Sequence, residues 1–106
     1  MRHAEDALQE LQMALELEPN NAKIHYNLGV TLARWGRAEE AKKAFENTIK
    51  LNPYDASAHN NLGVLLVQQR RIKEAIKEFE AALQLDPEHP NARRNLKKLR
   101  NVSPSS

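Results

Sequence analysis

The sequence predicts an all-α solenoid of stacked helix-turn-helix units, and three observations carry that prediction. The first is a fixed internal period. His25-Tyr26-Asn27-Leu28-Gly29-Val30 returns 34 residues later as His59-Asn60-Asn61-Leu62-Gly63-Val64, and Ala41, Phe45 and Leu51 return as Ala75, Phe79 and Leu85. A repeat of that length is one supersecondary unit, which buries its apolar face only by stacking on a neighbour. The second is punctuation: the Pro-centred turns Glu18-Pro19-Asn20-Asn21, Asn52-Pro53-Tyr54-Asp55 and Asp86-Pro87-Glu88-His89 recur at the same spacing. The third is helical patterning between the turns. Ala41, Phe45, Thr48 and Ile49 share one stripe, as do Ala75, Phe79, Ala82 and Leu83.

The elements follow in order. A helix over 4–17 carries Ala4, Leu8, Leu11 and Leu15 and stops at the first proline turn. Asn21 is the N-cap of a helix over 22–34, which breaks at Trp35-Gly36-Arg37. The Ala41 stripe defines a helix over 38–51, with Glu40 placed to pair with Lys43 on its solvent face. Asp55 caps a helix over 56–68, whose break, Gln69-Arg70-Arg71, has arginine where the preceding unit has Gly36. The Ala75 stripe gives a helix over 72–85, with Glu74 expected to pair with Lys77. Pro90 suits the first position of a last helix over 90–101. That helix is basic (Arg93, Arg94, Lys97, Lys98, Arg100), and its thin stripe of Ala92, Leu96 and Leu99 suits a solvating cap. Residues 102–106 read as a polar tail that frays.

Composition excludes more than it assigns. At 106 residues, 41% hydrophobic and 28% charged, the chain fits one soluble domain with a modest core. A formal charge of +2 argues for neither nucleic acid nor membrane, and no aromatics interleave the basic helix as nucleic-acid stacking would need. No apolar run reaches membrane-spanning length and no signal-peptide core opens the chain, so a cytoplasmic location is the default expectation. There is no cysteine for a disulfide or a thiolate metal site. Three of the four serines lie in the tail, and the only glycines are Gly29, Gly36 and Gly63, so neither a Ser-His-Asp triad nor a phosphate-cradling loop is credible. No catalytic residue, cofactor, metal or small-molecule substrate is expected. His25 and His59 stand at equivalent positions, yet helices at this spacing lie about 8–10 Å apart. Two imidazoles on one zinc would need to approach within about 4 Å. Packed, part-buried histidines are the preferred reading.

The period together with Leu28-Gly29, Gly36, Ala41, Phe45 and Pro53, and again Leu62-Gly63, Ala75, Phe79, Ala82 and Pro87, resembles the tetratricopeptide repeat family across nearly the whole chain. The resemblance implies a right-handed α-solenoid. Complete repeats would span 22–55 and 56–89, a second half-repeat 1–21, and a first helix acting as cap 90–101. Glycines at 29 and 63 would let paired helices approach, with Ala41 and Ala75 opposite them and Phe45 and Phe79 between repeats.

The same resemblance implies a protein-interaction scaffold rather than an enzyme. Asn27, Asn61 and Asn95 recur at the register that lines the family's concave groove. Around them fall Lys23, Tyr26, Val30 and Arg34, then Asn60, Val64 and Gln68, then Arg94 and Lys98. Amides both donate and accept, so such a row suits the backbone of an extended peptide. The family's carboxylate clamp for chaperone C-termini is disfavoured, because Tyr26, Val30, Asn91 and Asn95 occupy its registers and only Asn61 matches. The alternative role is self-assembly, head-to-tail or by helix exchange, through half-repeat ends that carry opposite charge.

Overall fold

The computed structural model, which describes residues 2–102 with side chains from 5 to 101, consists of helices joined by short turns. In order they are α1 (Arg2–Leu17), α2 (Ala22–Arg34), α3 (Ala38–Leu51), α4 (Ala56–Gln68), α5 (Ile72–Leu85) and α6 (Pro90–Val102), with no strand among the described residues. The four inner helices have the bounds expected from sequence. The outer two are longer, α1 starting at Arg2 and α6 running through Val102. The rest of the expected tail, and the Ala4 side chain of the expected α1 stripe, lie outside the described residues.

Two caps behave as their chemistry requires. Asn21 accepts a hydrogen bond from Lys23 N at 3.0 Å, and Asp55 accepts one from Ala58 N at 2.9 Å. The cap of α6 is a histidine. His89 is 8% exposed, and its Nδ1 accepts from Ala92 N at 3.1 Å. The ring is therefore in the tautomer whose Nε2–H points at Ser57 Oγ, 3.3 Å away. Arg37 and Arg71 stand at the N-cap positions of α3 and α5 but make no side-chain cap hydrogen bond. Each arginine instead grips a carboxylate three residues on, Arg37 to Glu40 and Arg71 to Glu74, with bonds of 2.6 and 2.9 Å in both cases. These pairs replace the expected Glu40–Lys43 and Glu74–Lys77 pairs. A guanidinium at the helix start presents two parallel donors, which a lysine does not.

The breaks within repeats are Schellman turns. Gly36 N bonds Ala33 O at 3.1 Å and Arg37 N bonds Leu32 O at 2.9 Å; Arg70 N to Val67 O and Arg71 N to Leu66 O, both 2.9 Å, repeat the pattern. The motif needs a left-handed residue, and Gly36 supplies it at φ 80°. Arg70 holds φ 63° at the equivalent place, a conformation that costs a side-chain-bearing residue about 1–2 kcal/mol.

The chain divides into two units, Met1–Pro53 and Tyr54–Ser106. In the first, α2 packs along α3, and α1 lies against α2. Its core is Leu32, Ala41, Ala44, Phe45 and Thr48, with Leu8 reaching in from α1. Thr48, 0% exposed, satisfies its hydroxyl by donating to Ala44 O at 2.9 Å. In the second, α4 packs along α5 and α6 closes on both. Ala58, Leu62, Leu65, Leu66, Ala75, Phe79, Ala82, Ala92 and Leu96 form its core.

The glycines are needed for close approach, but to a ring. A Cβ built on Gly29 would sit 2.7 Å from Phe45 Cε1, and one on Gly63 would sit 2.7 Å from Phe79 Cε1. The nearest atoms to each glycine are thus those of a phenylalanine ring within the same unit. Ala41 and Ala75, both 0% exposed, are part of the same cores.

Candidate functional site

Helices α2, α4 and α6 carry every residue expected in the groove, and their amphipathic patterning decides what each side chain does. In the first unit, α2 exposes Lys23, Asn27 and Arg34 and leaves Tyr26 and Val30 half-buried. Tyr26 is held edge-on to Phe45, with centroids 5.8 Å apart and an interplanar angle of 64°. That contact fixes a part-exposed aromatic surface beside Asn27.

In the second unit, Gln68, Arg94 and Lys98 are exposed, and Asn61, Val64 and Asn95 are half-buried. Asn60, expected among the groove residues, is 3% exposed and acts as a brace. Its Oδ1 accepts from Asn95 Nδ2 at 3.1 Å, tying α4 to α6, and its own Nδ2 leans toward Asn61 Oδ1 at 3.4 Å. Burying an amide is tolerable only when its polar atoms are paired, and the 35-residue separation of Asn60 and Asn95 achieves this. Asn95 therefore spends one of its two amide N–H donors inside the protein.

Beside this brace lies a cavity of about 220 Å³, lined by Val64, Val67 and Gln68 of α4, Phe79 of α5, and Asn95, Lys98 and Leu99 of α6. Four expected site residues, Val64, Gln68, Asn95 and Lys98, converge here. Asn60, Asn61 and Arg94 lie outside its lining. Arg94 donates to Asn91 Oδ1 at 2.9 Å on its own helix. Val67, Phe79 and Leu99 were not among the residues expected in the site. Val67 and Leu99 were legible in principle, standing three positions after Val64 and four after Asn95 and hence on the same faces. Phe79 had been assigned wholly to packing, and it forms both core and cavity wall.

The chemistry on offer is an apolar recess with one amide acceptor, one glutamine and one ammonium at its edge. Both repeat histidines are half-buried and hydrogen-bonded: His25 Nε2 to Pro19 O at 2.8 Å, and His59 Nδ1 to Glu78 Oε1 at 2.8 Å. Among the described residues no cluster of three potential metal-ligating side chains occurs, and no helix is long and apolar enough to cross a membrane.

Comparison with known proteins agrees with this architecture. A family model described as tetratricopeptide repeat matches residues 32–90, and a second, described as TPR repeat, matches 4–36. No curated protein sequence matches. Among solved structures, the first TPR of Spaghetti (RPAP3), bound to the HSP90 peptide SRMEEVD, superposes with TM-score 0.91 at 20% identity, covering 97% of this chain and 82% of that one. The Arabidopsis OM64 TPR domain gives 0.90 at 22% identity, covering 95% and 84%. YrrB, described as a TPR protein with an unusual peptide-binding site, gives 0.84 at 28% identity, covering 91% of this chain and 50% of that one.

Proposed function

The chain belongs to the tetratricopeptide repeat family, and on that premise we propose that it is a protein-interaction module whose second unit grips an extended peptide at the Val64–Leu99 cavity. Repeats at 22–55 and 56–89, flanked by helices of further half-repeats, frame this reading. The convergence of Val64, Gln68, Asn95 and Lys98 around an apolar recess is the observation that carries it. At about 220 Å³ the recess is smaller than the ~300–1,000 Å³ of small-molecule sites and suits a single apolar side chain. Asn95 Oδ1 accepts a peptide N–H, while one Nδ2 hydrogen stays on Asn60 and holds the amide in place. Lys98 pairs with an acidic residue next to the apolar anchor. Lys23, Tyr26, Asn27, Val30 and Arg34 offer a further set of contacts from the first unit. Peptide binding by the RPAP3 domain and by YrrB supports the reading by likeness of fold. The role assigns no catalytic residue and no cofactor.

Peptides selected from a random display library test it. A selected peptide should lose about 0.5–1.5 kcal/mol of binding to Asn95→Ala, one neutral hydrogen bond. Lys98→Glu should weaken acidic peptides in particular. Unchanged affinity in both variants, with helicity intact, sinks the proposal.

A second reading, self-association, rests on α1. Ala7, Leu11 and Ala14 are only half-buried, whereas their counterparts Ala41, Phe45 and Thr48 are 0%, 1% and 0% exposed. Met13 and Leu17 stand 59% and 84% exposed on the same helix. Glu5, Asp6, Glu10, Glu16 and Glu18 are exposed, as are the cations of α6. Head-to-tail contact would therefore weaken as salt screens charge beyond about 8 Å. Sedimentation velocity across concentration and salt decides this; a monomer throughout removes the reading.

A further inference from the structure

The two units solve one local problem differently. In the second, His59 Nδ1 donates to Glu78 Oε1 at 2.8 Å, with side chains 15% and 27% exposed. Counting back 34 residues, His59 becomes His25 and Glu78 becomes Ala44. His25 uses its other nitrogen: Nε2 lies 2.8 Å from Pro19 O, and a carbonyl only accepts, so Nε2 carries the proton. That leaves Nδ1 buried and without a hydrogen-bond partner among the described residues. An unpaired buried polar atom is unfavourable and calls for an explanation.

The missing carboxylate has left room. A cavity of about 250 Å³ opens at this place, with Leu8, Leu15, Leu28, Leu32 and Ala44 as its apolar lining. Its charged groups, Arg37, Glu40 and Lys43, come from α3 and the residue that precedes it, while the polar side chains from α1 and α2 are the neutral Gln12 and His25. Arg37 and Glu40 bind each other at 2.6 Å, so Lys43 leaves the surround positive.

We propose that this cavity is a second docking site, taking an acidic side chain of a partner protein that pairs with His25 Nδ1 as Glu78 pairs with His59. Neighbouring apolar atoms of the partner fill the leucine-lined space. Nδ1 lies just under the cavity wall, so docking turns aside a wall side chain, and Gln12, Lys43 and Asn47 have that rotamer freedom. Nδ1 must hold a proton to donate, so a neutral His25 takes one up from solvent as the carboxylate enters. The site is separate from the Val64–Leu99 cavity, and loss of either leaves the other standing.

Isocaproate, a branched apolar carboxylate, is the probe, with isocaproamide as its neutral twin, titrated into the intact chain and followed by methyl and ring-nitrogen NMR. Isocaproate should shift the Leu8, Leu28 and Leu32 methyls and protonate His25 Nδ1. It should bind at least ~10-fold more tightly than the amide, and its affinity should fall by up to about tenfold per pH unit above the imidazole titration. Ala44→Glu supplies the carboxylate from within, as in the second unit, and should abolish probe binding. His25→Phe keeps a ring without nitrogen and should erase the preference for acid over amide. Equal binding of acid and amide, a pH-independent affinity, no binding at the highest soluble concentration, or undiminished binding to either variant would each overturn the proposal.

Discussion

Replacing Gly63 by alanine tests a close helix–ring contact, because two opposed effects of known size meet there. Within a helix, alanine is favoured over glycine by about 0.8–1.0 kcal/mol. At Gly63 the added Cβ would lie 2.7 Å from Phe79 Cε1 and 2.9 Å from Cδ1 and Cζ. Relaxed carbon contacts fall at about 3.5–4.0 Å, so the ring must retreat by roughly 1 Å. Phe79 is 1% exposed, and Ala75 and Ala82 on its own helix are 0% exposed, so the ring retreats only by shifting core neighbours or by closing into the cavity it walls. Overpacking of this kind costs about 1–3 kcal/mol, which outweighs the propensity gain. Gly63→Ala should therefore destabilise the chain by up to about 2 kcal/mol. The decisive form is a double-mutant cycle with Phe79→Leu, read by urea unfolding. In the smaller background the clash is relieved, so Gly63→Ala should become neutral or stabilising, with a coupling of about 1–3 kcal/mol. Stabilisation by about 1 kcal/mol in both backgrounds would mean that the ring does not lie over this glycine.

Four further outcomes follow from the same geometry. Arg70→Gly should stabilise by about 1 kcal/mol in thermal melts, since glycine adopts φ 63° without a Cβ penalty. Gly36→Ala should destabilise by about 1–2 kcal/mol even though nothing lies within 4 Å of its added Cβ, because φ there is 80°. Asp55→Ala should cost about 1 kcal/mol in the same melts, whereas Asp55→Asn, which keeps the acceptor for Ala58 N, should cost little. Phe45→Ala should cost about 3–5 kcal/mol, enough to unfold a chain of this size, and a melt within a few degrees of the parent would contradict its 1% exposure.

The features legible in the sequence were the locally determined ones. Proline turns and the Asn21 and Asp55 caps act over two or three residues, so the inner helices end where the sequence places them. The same holds for the left-handed turn at Arg70, whose place was marked by Gly36 one period earlier. Pairings between distant residues were hidden. Register assigns Asn60 to a face of α4, but its burial depends on Asn95, 35 residues away, consuming its oxygen. Tyr26 holds the equivalent position one period earlier and packs on Phe45 instead, so periodicity alone pointed the wrong way. Glu40 and Glu74 each had an arginine and a lysine three residues away, and the bidentate geometry that selects arginine over lysine is a three-dimensional property. The cavity walls formed by Val67 and Leu99 were on the page as periodicity; the role of Phe79 required its ring to be placed.

The central claim is that the second unit grips a peptide at the Val64–Leu99 cavity. It is tested most directly by titrating a library-selected peptide into the uniformly labelled chain and mapping the amide and methyl shifts. The account predicts the largest shifts at Val64, Val67, Gln68, Asn95, Lys98 and Leu99, and loss of those shifts in Asn95→Ala. Shifts confined to other surfaces, or a peptide that binds Asn95→Ala as tightly as the parent, would contradict it.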